Sequence, residues 1–268
     1  MRFPGSLRLR TKPQGEQDSA YAPPTSKKQR WLKIARWTAK VVLAAALVLV
    51  AGVAILFGAT PSAGRAQMLV QQQAREHGIG YPGAPVPVYF AQALVATEDH
   101  RFYSDPGVDP LAIARVAAYK AVGKQDQGGS TIAQQLAKML FTGSQSGFKT
   151  ELEQVTLAVK LNMSYSKAQI LQMYSEVAYY GHGYYGLEQA SCGYFGHQAA
   201  DLTLVQAAML AGAVNAPTYD DPLVYPVQAR ARLVHVLGRM QAVGYLSATE
   251  EQQALKAPLG LSATRGCS

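Results

Sequence analysis

Glu98 and the run from Gly129 to Lys138 (GSTIAQQLAK) carry the side chains best suited to chemistry in this sequence. Ahead of Glu98, Ala91, Leu94 and Val95 recur at i, i+3 and i+4, and Glu98 is the i+7 position of that helical pattern. A carboxylate on the inward stripe of an amphipathic helix is costly to desolvate. Partial burial disfavours its charged form and suits it to general base or acid work near neutral pH. The alternative is a helix that ends at Thr97 and leaves Glu98 solvated. In the second run, Thr131-Ile132-Ala133-Gln134 has the capping-box form, which starts a helix near Ser130 or Thr131. Free backbone N–H groups at such a start favour anions such as phosphate. Lys138 is at i+7 from Thr131, on roughly the same face. This arrangement can hold a diphosphate or polar sugar groups. An N-cap followed by a solvated lysine fits the pattern equally well.

The elements that must position these residues lie in a chain of 268 residues with a net charge of +8. Residues 1–40 hold ten Lys/Arg and two acids, which is the whole excess, so the remainder is neutral. The basic character therefore belongs to a tail, and no nucleic-acid face is expected on the body. Residues 1–30 are rich in Pro, Gly, Ser and Gln and read as disordered. Lys27 to Lys40 is a basic cluster with Trp31 and Trp37 interleaved. Val41 to Gly58 then runs without a charged or strongly polar side chain. At about 1.5 Å per residue this crosses a bilayer core of ~30 Å with little to spare. The tryptophans and lysines before it suit an interface, and the positive excess places the N-terminus in the cytoplasm. A cleaved signal peptide would have a shorter apolar region and a better small-x-small site than Pro61-Ser62-Ala63, so an uncleaved anchor is expected. The expected division is a disordered basic tail at 1–40, a transmembrane anchor at 41–63 and an extracytoplasmic domain at 64–268. Cys192 and Cys267 make no metal-ligand spacing, no disulfide framework is indicated, and Cys192 reads as a small buried residue.

The body reads as all-α. Ala66 to Glu76 is a short polar helix, and a Pro/Gly connector follows at residues 81–87. Asp109-Pro110 begins a helix, and residues 123–129 form a loop. Phe148 to Met163 is helical, and Ser166 to Gln169 is a second capping box. Residues 179–196 are dense in Gly and aromatics. Asp201 to Val214 is apolar nearly all round and should be buried. Val227 to Val243 is amphipathic and stops at Gly244. No convincing strand and no internal repeat are found.

The motifs in order resemble those of the peptidoglycan glycosyltransferases, glycosyltransferase family 51. Glu98-Asp99-x-x-Phe102 with Gly107-Val108-Asp109 resembles the family's first motif. Gly129-Ser130-Thr131-Ile132-x-Gln134-Gln135-Leu136-x-Lys138 closely matches the second. Lys167-x-x-Ile170-Leu171-x-x-Tyr174 is similar to the fourth, and Tyr180-Gly181-x-Gly183-x-Tyr185-Gly186 with Tyr194-Phe195-Gly196 to the fifth. Four matches in order and spacing are far more specific than any one, and they cover about residues 88–244.

The resemblance implies a mainly α, lysozyme-like glycosyltransferase domain preceded by a single transmembrane helix. It implies polymerisation of lipid II into glycan strands, with inversion and release of undecaprenyl diphosphate. Carried onto this chain, Glu98 is the general base. Asp99, Phe102, Ser130, Thr131, Gln134, Gln135 and Lys138 bind substrate. Leu111 to Val122 suits a jaw that dips into the membrane, and core packing explains it equally. A divalent metal such as Mg2+ at the diphosphate is implied, although the sequence shows no metal cage. Expected partners are lipid II, the growing glycan strand, the membrane and penicillin-binding transpeptidases, with no nucleic acid. The expected location is the plasma (inner) membrane, single-pass, N-terminus inside.

The third motif departs from the family. Gln154 stands where the family has a second functional glutamate, Glu153 is its neighbour, and the Arg-Lys pair is missing, with Lys149 alone nearby. Asp105 stands where many members have His, and Ser175-Glu176 follows Tyr174 where the family has Leu-Asn. These departures keep a second reading in play, a catalytically impaired, membrane-anchored lipid II-binding or scaffold protein. A wall-cleaving lytic enzyme is a third, which the second motif argues against. Ser146-x-x-Lys149 and Ser164-x-x-Lys167 fit S-x-x-K, but no K-T-G is present, so a monofunctional enzyme is expected.

Overall fold

The computed structural model describes residues 27–108, 130–262 and 267. The expected helix from Asp109, the jaw segment Leu111 to Val122 and the 123–129 loop lie outside these residues, as does the tail before Lys27. The chain divides into two compact units, Met1–Ala54 and Ile55–Ser268.

The described part of the first unit is helical. Helix α1 runs Lys27–Ala59. It holds an 18-residue window with a mean hydropathy of 2.9 and is long and apolar enough to cross a membrane. Trp31 and Trp37 are exposed on it. The helix begins well before the apolar run, inside the segment expected as disordered tail. No Pro or Gly falls between Lys27 and Val41, and Lys, Arg, Leu and Ala are good helix formers, so the basic cluster continues the helix.

In the second unit, α2 (Ala66–Glu76) and α3 (Val88–Glu98) flank the Pro/Gly connector. Helix α4 (Ile132–Ala137) runs into a π-helical turn at Lys138–Thr142. Then come α5 (Phe148–Ser164), α6 (Lys167–Val177), α7 (Leu187–Phe195) and α8 (Leu204–Ala213). Helices α9 (Pro226–Ala242) and α10 (Ala248–Lys256) close the order. Among the described residues there is no strand, only one antiparallel bridge between Tyr179 and Tyr185.

Helix α3 packs on α8 and α9, and α4 packs on α5 and α6. The apolar stripes that drive this packing are buried: Leu94 on α3, Ile132 and Leu136 on α4, Leu157 and Leu161 on α5, Leu233 and Leu237 on α9. Helix α8 is buried from Val205 to Ala213, as its nearly all-apolar composition requires. Gly107 sits at φ +102 with its α-carbon against the Ala158 carbonyl and the Asn162 side chain. A side chain there would collide with α5, so this glycine sets how closely the loop after Glu98 approaches that helix.

Two features correct the sequence reading. Cys192 and Cys267 form a disulfide, with Cα atoms 4.7 Å apart. They stand 75 residues apart, and pairing at that separation is not encoded in spacing. Helix α10 was also not anticipated, although Ser247 and Glu250 form a full capping box at its start.

Candidate active site

Glu98 is the last residue of α3, so the helix does not stop at Thr97. Its side chain is only 7% exposed. Three donors from three elements converge on it. Gln135 Nε2 on α4 donates to Oε2 at 3.0 Å, and Arg232 NH2 on α9 donates to Oε1 at 2.9 Å. Asn215 Nδ2, just past α8, reaches Oε2 at 3.5 Å. Arg232 supplies the counter-charge that a carboxylate this buried needs. Behind Gln135, the Tyr174 hydroxyl on α6 donates to its Oε1 at 2.8 Å and fixes the amide's orientation. Burial pushes the Tyr174 phenol far above its ordinary range, with the charge of Glu98 adding to the rise, so Tyr174 remains a donor.

Arg232 is itself held. Its Nε donates to the Gly212 carbonyl at 3.2 Å. A side chain at Gly212 would meet Arg232 Cγ at 2.9 Å, so this glycine on α8 makes room for the arginine. Sequence reasoning missed Arg232, Asn215 and the positioning role of Tyr174. For Arg232 a signal existed: it sits between Ala229 and Val236 at helical spacing, a charge on the apolar stripe of α9. Its field and that of Arg239 add to desolvation in lowering the His235 pKa.

The second-motif residues divide into two groups. Thr131 is the N-cap of α4 and forms a reciprocal capping box with Gln134. The Thr131 hydroxyl also donates to the Gly107 carbonyl at 2.7 Å. These two buried side chains therefore lock the loop to the helix. Gln135 faces Glu98, while Ser130 and Lys138 are exposed and open to a ligand. Asp99 is buried and accepts from the Ile132 N–H at 3.1 Å. Burial, and then the charge of Asp105, push the Asp99 carboxyl up to about 7. Phe102 is fully buried beneath Lys167, whose Nζ lies 4.6 Å from the ring centroid.

Gln154 and Glu153 are both half-buried on α5. Gln154 Nε2 donates to Thr142 Oγ1 at 2.8 Å, which ties α5 to the end of the π-helical turn that begins at Lys138. A glutamate could not make this donation. The described residues gather one set of candidate metal ligands, Glu188 with Cys192 and Cys267, and its two sulfurs are joined in the disulfide. No other group of three or more such ligands, and none beside Glu98, is found among the described residues.

Comparison with known proteins decides the family. The transglycosylase family profile matches residues 65–241. The chain belongs to the transglycosylase family, the peptidoglycan glycosyltransferases. A provisionally named transglycosylase of Cupriavidus necator is 35% identical over 180 residues, covering 67% of this chain and 78% of that protein. Penicillin-binding protein 1F of Bacillus subtilis is 38% identical over 178 residues, 66% of this chain and 25% of the relative. Penicillin-binding protein 1A of Aquifex aeolicus is 39% identical over 176 residues, 65% of this chain and 24% of the relative. The chain thus spans about a quarter of the length of these two penicillin-binding proteins. The mainly α, lysozyme-like architecture of transglycosylase domains is the one found here.

The pairing at Glu98 makes a testable claim. Replacing Arg232 with Gln should lower turnover by about ten- to a hundred-fold with little change in apparent substrate affinity, because the carboxylate loses its fixed orientation. A steady-state comparison of kcat and KM checks this. An unchanged kcat would contradict it.

Proposed function

We propose that this protein is a membrane-anchored peptidoglycan glycosyltransferase that polymerises lipid II with Glu98 as the general base. The observation that carries the reading is the 3.0 Å bond between Gln135 and Glu98, which joins the first and second motifs at one buried carboxylate. The donors around Glu98 leave it acceptor-only, as a base must be before it takes a proton.

In the reaction, the Glu98 carboxylate accepts the proton of the acceptor sugar's 4-hydroxyl. That oxygen forms a new bond to the anomeric carbon of the lipid-linked strand. The carbon–oxygen bond to the diphosphate breaks, and undecaprenyl diphosphate leaves with the electron pair. Attack opposite the leaving group inverts the configuration. Lys138 and Ser130, both exposed beside α4, meet the developing diphosphate charge.

The location follows from the same reading. The positive excess before the apolar run supports an N-terminus inside and residues 64–268 outside the plasma membrane. The Cys192–Cys267 disulfide supports that orientation, because such bonds persist in oxidising compartments. A polyprenyl-linked substrate also requires an enzyme held at the bilayer. Partners would be the growing strand and penicillin-binding transpeptidases that cross-link it.

Gln154 motivates the rival reading, a lipid II-binding scaffold without turnover. The bond from Gln154 to Thr142 gives the glutamine a positive role, and the active reading expects Gln154→Glu to change kcat by less than about tenfold, the worth of one hydrogen bond. Polymerisation of labelled lipid II by the native chain and by this variant distinguishes the two. A silent native chain that gains activity in Gln154→Glu would make the scaffold reading the correct one.

A further inference from the structure

The last turn of α1 has no local cap. Residues 57–65 belong to the second unit, Ile55–Ser268. In a continuing helix the Phe57 carbonyl would accept from the N–H four residues on, but that residue is Pro61, which has none. No basic residue stands in the last turn to meet the freed carbonyls. The donor comes from 103 residues away. Lys160 Nζ on α5 donates to the Phe57 carbonyl at 2.7 Å, to that of Thr60 at 2.9 Å and to that of Pro61 at 3.2 Å. An ammonium group has three N–H donors, so these bonds occupy it fully. Nζ also lies 5.5 Å from the centroid of the Phe57 ring. The Leu56 carbonyl is met locally, by the Thr60 N–H and the Thr60 hydroxyl, each at 3.0 Å.

The chain beyond is held by the same helix. The Tyr165 hydroxyl, one residue past α5, lies 3.2 Å from the Ala63 carbonyl and 3.2 Å from that of Gly64 and donates to them. The short 3-10 turn Ala63–Arg65 packs on α5, and its Ser62 cap accepts from the Gly64 N–H at 3.3 Å. Elsewhere α5 reaches the site. Gly107 sits against its Ala158 carbonyl and Asn162 side chain, and Gln154 bonds to Thr142 at the end of the turn that begins at Lys138. One helix therefore grips the exit of the anchor and two segments of the site.

We propose that Lys160 is a positioning residue that caps the outgoing end of the membrane anchor and, with Tyr165, makes residues 57–65 a fixed joint on α5. It touches no reacting atom and acts through α5. The inference rests on the membrane-anchored glycosyltransferase reading for what is positioned: a fixed joint presents the site at one attitude to the bilayer from which a lipid-linked substrate arrives. Carbonyls at the end of a spanning helix have little water to turn to, so leaving them without donors is costly. Lys160→Met keeps the half-buried stem and removes every donor. Lys160→Arg keeps the charge and the N–H groups. Tyr165→Phe keeps the ring and removes only the hydroxyl.

The test has two arms. In the first, full-length chains in phosphatidylglycerol–phosphatidylethanolamine vesicles receive a short pulse of trypsin, and cleavage after Arg65, exposed within the joint, is timed. Lys160→Met should be cut about tenfold faster than the native chain, Lys160→Arg within about threefold of it, and Tyr165→Phe at a rate between those of the native and Met chains. Equal rates in the native and Met chains would overturn the joint. Should Lys160→Met lower the melting temperature of the whole body, Tyr165→Phe decides, and a rate equal to the native one overturns the joint. In the second arm, polymerisation of labelled lipid II is followed in the same vesicles and in detergent micelles. Lys160→Met should raise the apparent KM in vesicles by about fivefold with kcat held, Lys160→Arg should restore it, and all three chains should match in micelles, which offer no bilayer plane. An unchanged KM in vesicles would overturn the positioning role. A native chain that never polymerises would fail the proposed function alone, since the cleavage readout needs no turnover.

Discussion

Replacing Glu98 with Gln should abolish glycan polymerisation while leaving the fold intact. General-base catalysis contributes roughly 10²–10⁴-fold in rate, equivalent to about 3–5 kcal/mol of barrier. Gln has nearly the shape of Glu, so the packing at the end of α3 is preserved. It still offers an oxygen to Arg232 or to Gln135, but it cannot accept the proton of a sugar hydroxyl and keep the charge balance with Arg232. The loss should therefore appear in kcat, with lipid II still binding. Single-turnover measurement on native and variant chains separates the two quantities. A variant that retains more than about a tenth of the native rate would point to another base.

Removing the disulfide should give the largest loss of stability. A link across 75 residues constrains the unfolded chain by about 4 kcal/mol in the loop-entropy picture. Cys192→Ser should then lower the melting temperature by roughly 10 °C for a domain of this size. The bond ties the end of α7 to the C-terminal segment, far in sequence from Glu98, so specific activity at low temperature should be kept. Thermal denaturation with and without reductant checks the same point on the native chain. An unchanged midpoint would show that the C-terminal segment adds nothing to the folded body.

The parts of this protein that were legible in sequence are those written in local pattern. The period-3.6 stripes at Leu94, Ile132, Leu136, Leu157 and Leu233 placed the helices on their buried faces. The capping boxes at Thr131 and Ser166 marked two helix starts, and both form as the pattern requires. The pattern could not decide between a solvated and a buried Glu98. That depends on Gln135, Asn215 and Arg232, which lie 37, 117 and 134 residues away. A counter-charge so distant in sequence leaves no trace in a local window. Cys192 and Cys267 were opaque for the same reason. Gln154 is at helical spacing from Leu157 and Leu161, but its partner Thr142 sits in a π-helical turn that the sequence does not announce. Asp105 read as a mere departure from a family pattern, and its ion pair with Lys167, 62 residues on, is likewise outside any local window.

The central claim is tested most directly by giving labelled lipid II to the full-length native chain in detergent and resolving the products. The account predicts a ladder of glycan strands, released undecaprenyl diphosphate, and loss of both in the Glu98→Gln variant. Lipid II that binds to the native chain yet remains unpolymerised under every condition would contradict it.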